Sequence, residues 1–331
     1  MKRCQNCILP ETFPGIRFNE AGVCNYCQAY KGNDYMEGRR AEIRAEFERL
    51  AQSFRGRGSY DCLVAYSGGK DSTYLLHMLR REYAMRVLAL TMDNGFLSPQ
   101  AEINMQRVTK ALGIDWVVVR PRSEMLEAIF KRSLQGPLFA SKSAQRGSFI
   151  CMSCIGLIKF LSLRYAIELN IPFLAFGWSP GQLGYRAALM KNTPAMIRSM
   201  QRATYEPLYN VAGEEVRPFF LEERHFQAAD SFPYSVAPLV FTDYNEQEIL
   251  PTIERLGWER PTDTDANSSN CLLNALANQA HKQRFNYHPY DFELAQLVRE
   301  GRLSRDEALA RIMAEENAVI VRRVAEQLHL P

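Results

Sequence analysis

At 331 residues, 47% of them apolar, the chain exceeds one core of common size and can fill an α/β domain with smaller attachments. Its formal charge of +3 is nearly balanced for this length, which gives little long-range attraction to nucleic acid and leaves small substrates as the default. No apolar run approaches the roughly 18 residues of a membrane span. Met1-Lys2-Arg3 leads into cysteines rather than a signal-peptide core, so a soluble, cytoplasmic protein without membrane association is expected.

The chain opens with two knuckles, Cys4-Gln5-Asn6-Cys7 and Cys24-Asn25-Tyr26-Cys27, whose connecting loop carries Pro10, Pro14, Gly15 and Gly22. Four thiolates suit a closed tetrahedral site, and so short a segment needs a metal in place of a core. Structural zinc on Cys4, Cys7, Cys24 and Cys27 is the expectation, with an iron centre or redox pairs as alternatives. Four cysteines leave no open position for catalysis. From Asp34 to Arg57 the pattern is a connecting helix with Ile43, Phe47 and Leu50 on one face. Its arginines at 39, 40, 44, 49, 55 and 57 read as a solvated face, with RNA phosphate as the alternative. Residues 1–58 form the expected first module, 59–240 the main domain and 241–331 a mainly helical region.

Within Tyr60 to Leu79, Leu63 to Tyr66 reads as a buried strand, and Ser67-Gly68-Gly69 as a tight turn. The helix that follows has Asp71 and Ser72 in its first turn and Leu75, Leu76 and Leu79 on its buried face. Turn amides and helix dipole make an anion cradle, beside which Lys70 adds a full charge. A Walker loop is excluded, because Val64 stands where that pattern needs glycine. Ser67-Gly68-Gly69-Lys70-Asp71-Ser72 resembles the SGGxDS signature of the PP-loop ATP pyrophosphatases. That resemblance implies ATP and magnesium at Ser67, Gly68, Gly69, Lys70, Asp71 and Ser72, pyrophosphate release, and a doubly wound parallel α/β sheet of the HUP-like kind.

Arg86 to Met92 is a second strand pattern, Gln100 to Leu112 a helix, Trp116 to Val119 a third strand and Ser123 to Leu134 another helix, an alternation that argues for the same sheet. Asp93-Asn94-Gly95 follows strand two, where the resemblance places adenosine; a plain turn is the alternative. Gln135 to Ser148 reads as a loop. Cys151-Met152-Ser153-Cys154 precedes a helical stretch from Leu157 to Leu169, and the strand from Pro172 to Phe176 ends at Gly177, read as a second backbone contact to nucleotide. Lys191, Arg198 and Arg202 have the spacing of a helix facing substrate or pyrophosphate, or of an ordinary surface helix. Asn245 to Leu256 and Asp291 to Leu328 have helical periodicity, and Thr262 to Asn274 is a polar loop carrying Cys271.

Cys62 lies inside the first strand as a small filler, which leaves Cys151, Cys154 and Cys271. Three thiolates can hold a 4Fe-4S cluster with one iron open to sulfide; a redox pair plus an unrelated cysteine is the alternative. Knuckles, SGGKDS, a central CxxC and one distant cysteine together resemble the iron-sulfur branch of tRNA thiolases, which implies cluster ligation and catalysis by Cys151, Cys154 and Cys271 with Lys70 and Asp71. The beginning, Cys4 to Cys27 with Pro10, Thr12, Pro14, Gly15, Ile16, Phe18, Glu20, Gly22 and Val23, and the ending Gly301 to Leu309, look like N-acetyl sugar amidotransferases. Expected chemistry is therefore adenylation of a carbonyl followed by sulfur transfer from sulfide or a persulfide protein to a small molecule or tRNA. The alternative is amidation with ammonia from a partner glutaminase, and a third reading is a non-catalytic nucleotide sensor. Either enzyme could be a homodimer.

Overall fold

Alternating burial builds the sheet. In strand β1 (Cys62–Ala65), Cys62 and Val64 pack with Phe47, Leu75 and Val108 on one face, while Leu63 packs with Ile129, Leu157 and Leu161 on the other. Strands buried on both faces carry continuous apolar runs, as expected of a parallel sheet covered by helices. The remaining strands are β2 (Val87–Met92), β3 (Asp115–Val119), β4 (Phe173–Phe176), β5 (Leu189–Lys191) and β6 (Tyr234–Val236). They run in the order β3-β2-β1-β4-β6-β5, parallel throughout except for the antiparallel pair β5 and β6. The expected doubly wound α/β sheet is thus present. This computed structural model describes residues 1–330; Pro331, the last residue of the expected C-terminal region, lies outside the described residues.

Chain order reverses between β1 and β4, so the carboxyl ends of those two strands flank a crevice. Helix Lys70–His77 leaves the Ser67 turn on one side of it, and Gly177 follows β4 on the other. A Cβ on Gly177 would lie 2.9 Å from both Cα and N of Ser72, so the absence of a side chain is what lets β4 approach the start of that helix.

Helix Phe149–Glu168 starts earlier than the sequence suggests. Ser148 Oγ accepts from Cys151 N at 3.2 Å, so the CxxC lies in the first turns of the helix rather than ahead of it. By length and composition this helix is apolar enough to cross a membrane even though Lys159 and Arg164 fall within it, a case that the reading of uninterrupted apolar runs did not cover. Leu157, Phe160, Leu161, Leu163 and Ile167 are instead buried in the chain's own core.

The knuckles share a core with the C-terminal helices. Ile8, Leu9 and Phe13 pack on Leu294 and Leu297 of helix Asp291–Arg299 and on Ala308 and Ile312 of helix Arg305–Met313. Phe13 stacks on Phe292 at 5.6 Å, and Arg305 donates to the carbonyls of Cys4 and Cys7. The long helical pattern from Asp291 breaks at Gly301, whose φ of +68° suits glycine, and again before helix Ala318–Gln327. Helix Asn33–Phe54 turns several arginines inward: Arg40 pairs with the fully buried Glu300 at 3.1 Å, and Arg44 donates to the Phe241 carbonyl.

Candidate functional site

A cavity of about 340 Å³ occupies the β1/β4 crevice. One wall is the turn Ser67–Ser72. Gly68 sits at φ +76°, and a Cβ there would meet Met105 Cγ at 2.8 Å and the Ala101 carbonyl at 3.1 Å. Its own carbonyl accepts from the buried Trp258 Nε1 at 3.0 Å. The turn is therefore held from behind, with Ser67, Gly69, Lys70, Asp71 and Ser72 lining the cavity. Ser67 Oγ and Ser72 Oγ are 3.0 Å apart, and the Lys70 amide, in the first turn of its helix, donates to Ser269 Oγ at 2.9 Å. Ser269 comes from the polar segment expected over 262–274, whose last two residues instead open helix Leu273–Phe285.

That loop is docked by backbone pairing. Leu97 and Cys271 form an antiparallel bridge, Ser98 N donates to the Asn270 carbonyl, and Leu272 N to the Phe96 carbonyl, each at 2.9 Å. The docking brings Cys271 to the same cavity as Cys151 and Cys154. Asn94 Nδ2 reaches Cys154 Sγ at 3.7 Å and Cys271 Sγ at 3.6 Å, so one amide spans both, and Asn274 Nδ2 lies 4.0 Å from Cys151 Sγ. Burial pushes all three thiols up, Cys271 to about 11, so as free thiols they are protonated at neutral pH.

The two cysteine groups differ in spread. Among the described residues, Cys4, Cys7, Cys24 and Cys27 are the set whose sulfurs all lie within 4.8 Å of one another. The pair distances of 3.8 Å (Cys4 to Cys27) and 3.7 Å (Cys7 to Cys24) match the roughly 3.8 Å sulfur separation around one tetrahedral ion with bonds of about 2.3 Å. Cys151, Cys154 and Cys271 do not meet that criterion together. A single ion could not bridge them without movement, whereas a cube of irons and sulfides holds its thiolates further apart than one ion does.

Lys70 Nζ is held at 2.7 Å from Asp71 Oδ1, 2.5 Å from Tyr244 OH and 3.1 Å from Glu246 Oε1. Burial alone would lower its pKa, but the charges of Asp71 and Glu246 outweigh it and keep Lys70 protonated. Glu246 also pairs with Arg311 at 3.0 Å; burial would raise its carboxyl, yet Lys70 and Arg311 pull it down to about 2. Asp71 accepts in turn from Tyr244 OH at 2.8 Å.

Asp93 does not line this cavity. Its carboxylate accepts from Arg120 Nε at 2.8 Å and from Gly95 N at 2.9 Å, and it lines a separate cavity beside Arg120; Asn94, one residue on, faces the cysteines. Lys191, Arg198 and Arg202 do not share a face. Lys191 lies on β5, Arg198 is paired with Glu223, and Arg202 with Glu206. Sequence reasoning set Asn94 beside the nucleotide and did not single out Ser269, Tyr244, Glu246 and Glu293. The last lies on the cavity wall, accepts from Ser179 Oγ at 2.8 Å and is pushed up by burial to about 7. Ser269 and Asn94 had a local signal, each lying in a stretch already singled out; Glu293 had none.

No family model matches the chain. It is 24% identical over 278 residues to the uncharacterized protein MJ1599 of Methanocaldococcus jannaschii, covering 81% of this chain and 78% of that one. Among solved structures it is similar to the U34-tRNA thiolase NcsA of Methanococcus maripaludis, solved with its 4Fe-4S cluster (17% identity, 99% of this chain and 89% of that one, TM-score 0.38). It is also similar to the NMN synthetase of Francisella tularensis (11%, 89% and 97%, 0.40) and to the ammonia-dependent NAD synthetase of Campylobacter jejuni (12%, 89% and 93%, 0.38).

Proposed function

We propose that the protein is an ATP-dependent enzyme that adenylates a carbonyl oxygen of its acceptor, releases pyrophosphate and then replaces that oxygen with sulfur. The observation that carries the reading is the convergence, on one cavity at the β1/β4 crevice, of the Ser67–Ser72 cradle and three cysteines from two distant segments. The amides of Gly69 and Lys70 and the hydroxyls of Ser67 and Ser72 bind phosphate oxygens accompanied by magnesium, and Ser269 Oγ marks the place such an oxygen takes at the Lys70 amide. Lys70 and Arg311 balance the carboxylates of Asp71 and Glu246 behind the cradle, so the negative triphosphate does not face uncompensated acid.

Cys151, Cys154 and Cys271 would hold a 4Fe-4S cluster, which when bound would supply an iron open to exogenous sulfide. Asn94 and Asn274 orient those thiols, and metal binding would remove the protons that burial otherwise keeps on them. At the other end, Cys4, Cys7, Cys24 and Cys27 would take one structural zinc that ties the knuckles to the C-terminal helices.

The test is iron and labile sulfide content after anaerobic reconstitution, in wild type and Cys271→Ala, alongside acceptor-dependent pyrophosphate release. A brown wild type, bleached by Cys271→Ala, and pyrophosphate release lost in Lys70→Ala are expected. Colourless protein with ammonium-supported turnover would replace sulfur transfer by amidation.

A further inference from the structure

A second cavity, of about 550 Å³, shares Cys151, Trp178, Tyr290 and Glu293 with the first and extends from them toward Lys159. Lys159 stands on helix Phe149–Glu168 two turns after Cys151. Among the described residues its ammonium has one hydrogen-bond contact, Met200 Sδ at 3.9 Å, lies 5.6 Å from the centre of the Phe160 ring, and is pushed down by burial to about 8. Among the described residues no charged group offsets it. Arg146 and Arg186 stand exposed at the rim. Glu293 is the one acidic side chain on these walls, and it is pushed up to about 7. A cation desolvated beside Met200 and the Phe160 ring, without a counter-ion, costs free energy that a bound anion recovers.

We propose that this cavity binds the acceptor, a small organic acid whose carboxylate or phosphate pairs with Lys159 and whose apolar body packs on Trp178 and Met200. The shared wall at Glu293 and Cys151 would then set the reacting end of the acceptor beside the nucleotide. Calling the ligand an acceptor rests on the adenylation reading; its binding does not. A small acid fits better than RNA, because the unpaired charge lies inside a cavity on a chain whose net charge is only +3.

Calorimetric titrations with 3-phenylpropanoate, phenyl phosphate and neutral 3-phenylpropan-1-ol test it, on wild type, Lys159→Met, Lys159→Gln and Lys159→Arg. At least one acid should bind tenfold or more tightly than the alcohol, and the better acid tells carboxylate from phosphate. That preference should vanish in Lys159→Met and Lys159→Gln and persist within about threefold in Lys159→Arg. Two neutral variants guard against one failing to fold. Acids no tighter than the alcohol, or an acid preference that survives both neutral variants, would overturn the proposal, as would Lys159-dependent binding of bulk tRNA without any of the acids. ATP titrations run in parallel separate the two readings: Lys159-dependent acid binding without ATP binding keeps the cavity and removes the adenylation, and the converse keeps the adenylation and removes the cavity.

Discussion

Glu293→Gln should change how stability depends on pH, in a direction the structure fixes. Burial is the main reason the carboxyl rises from an ordinary value of 4.5 to about 7; the Ser179 hydroxyl opposes the rise, the charge of Asp71 adds to it, and Lys70 opposes it. Because the folded-state value is raised, the fold favours the protonated form. That contribution is complete below about 4.5 and is lost as pH climbs through about 7. At 1.36 kcal/mol per tenfold, the full difference reaches about 3 kcal/mol. Glutamine keeps the shape and an oxygen to accept from Ser179, but it does not titrate. Urea unfolding of both proteins at a series of pH values, with matching slopes, reads the gap between them. The gap should grow in favour of the variant by up to about 3 kcal/mol between roughly pH 4.5 and 8. Histidines common to both proteins cancel from this difference. A gap that stays constant, or one that closes as pH rises, would show that Glu293 is ionised in the fold and refute the argument.

Three other outcomes are expected. Cys24→Ser should lower metal content from about one ion per chain in the knuckles to none and loosen the contact with the C-terminal helices; metal analysis of protein purified without chelator checks this, and an unchanged metal count contradicts it. Glu300→Gln leaves Arg40 without its buried partner and should cost about 3–5 kcal/mol in urea unfolding; a loss under about 1 kcal/mol would mean the pair does not hold helix Asn33–Phe54 to the C-terminal region. Gly177→Ala puts a methyl 2.9 Å from backbone atoms of Ser72 that cannot step aside, so about 1–3 kcal/mol of strain and a weaker ATP affinity are expected, whereas unchanged values in both would show that the helix start yields.

Much of the sheet could be read in advance because β1, β2 and β4 are buried and almost wholly apolar, and the partly exposed β3 still carries an unbroken apolar run from Trp116 to Val119. β2, β3, β4 and the helices at Pro99–Leu112 and Ser123–Gln135 fall within a residue or so of the expected ranges. β5 and β6 were not legible. Each is three residues long at the sheet's far side, and Lys191, Ser235 and Tyr234 give them no apolar continuity. The start of helix Phe149–Glu168 was hidden for a different reason: its cap, Ser148, stands at the end of a glycine- and serine-rich stretch where any serine reads as loop.

The site divides along the same line between local and distant causes. A glycine turn acts through its own backbone, so SGGKDS carries its cradle wherever it is placed, and the turn is found at the crevice as its sequence implies. A side chain acts through whatever it meets. Asp93 and Asn94 are adjacent, yet successive residues leaving β2 point to opposite sides, and that alternation gives one to Arg120 and the other to the cysteines. Cys271 reaches Cys154 only because Leu97 pairs with it across most of the chain. Lys70 shows the consequence most sharply. Its charge is visible in the sequence, but Tyr244 and Glu246, which hold it, lie far along the chain. On the proposed reading an incoming phosphate would meet the turn's amides first, and it would recruit Lys70 only while Arg311 remains to hold the half-buried carboxylate of Glu246.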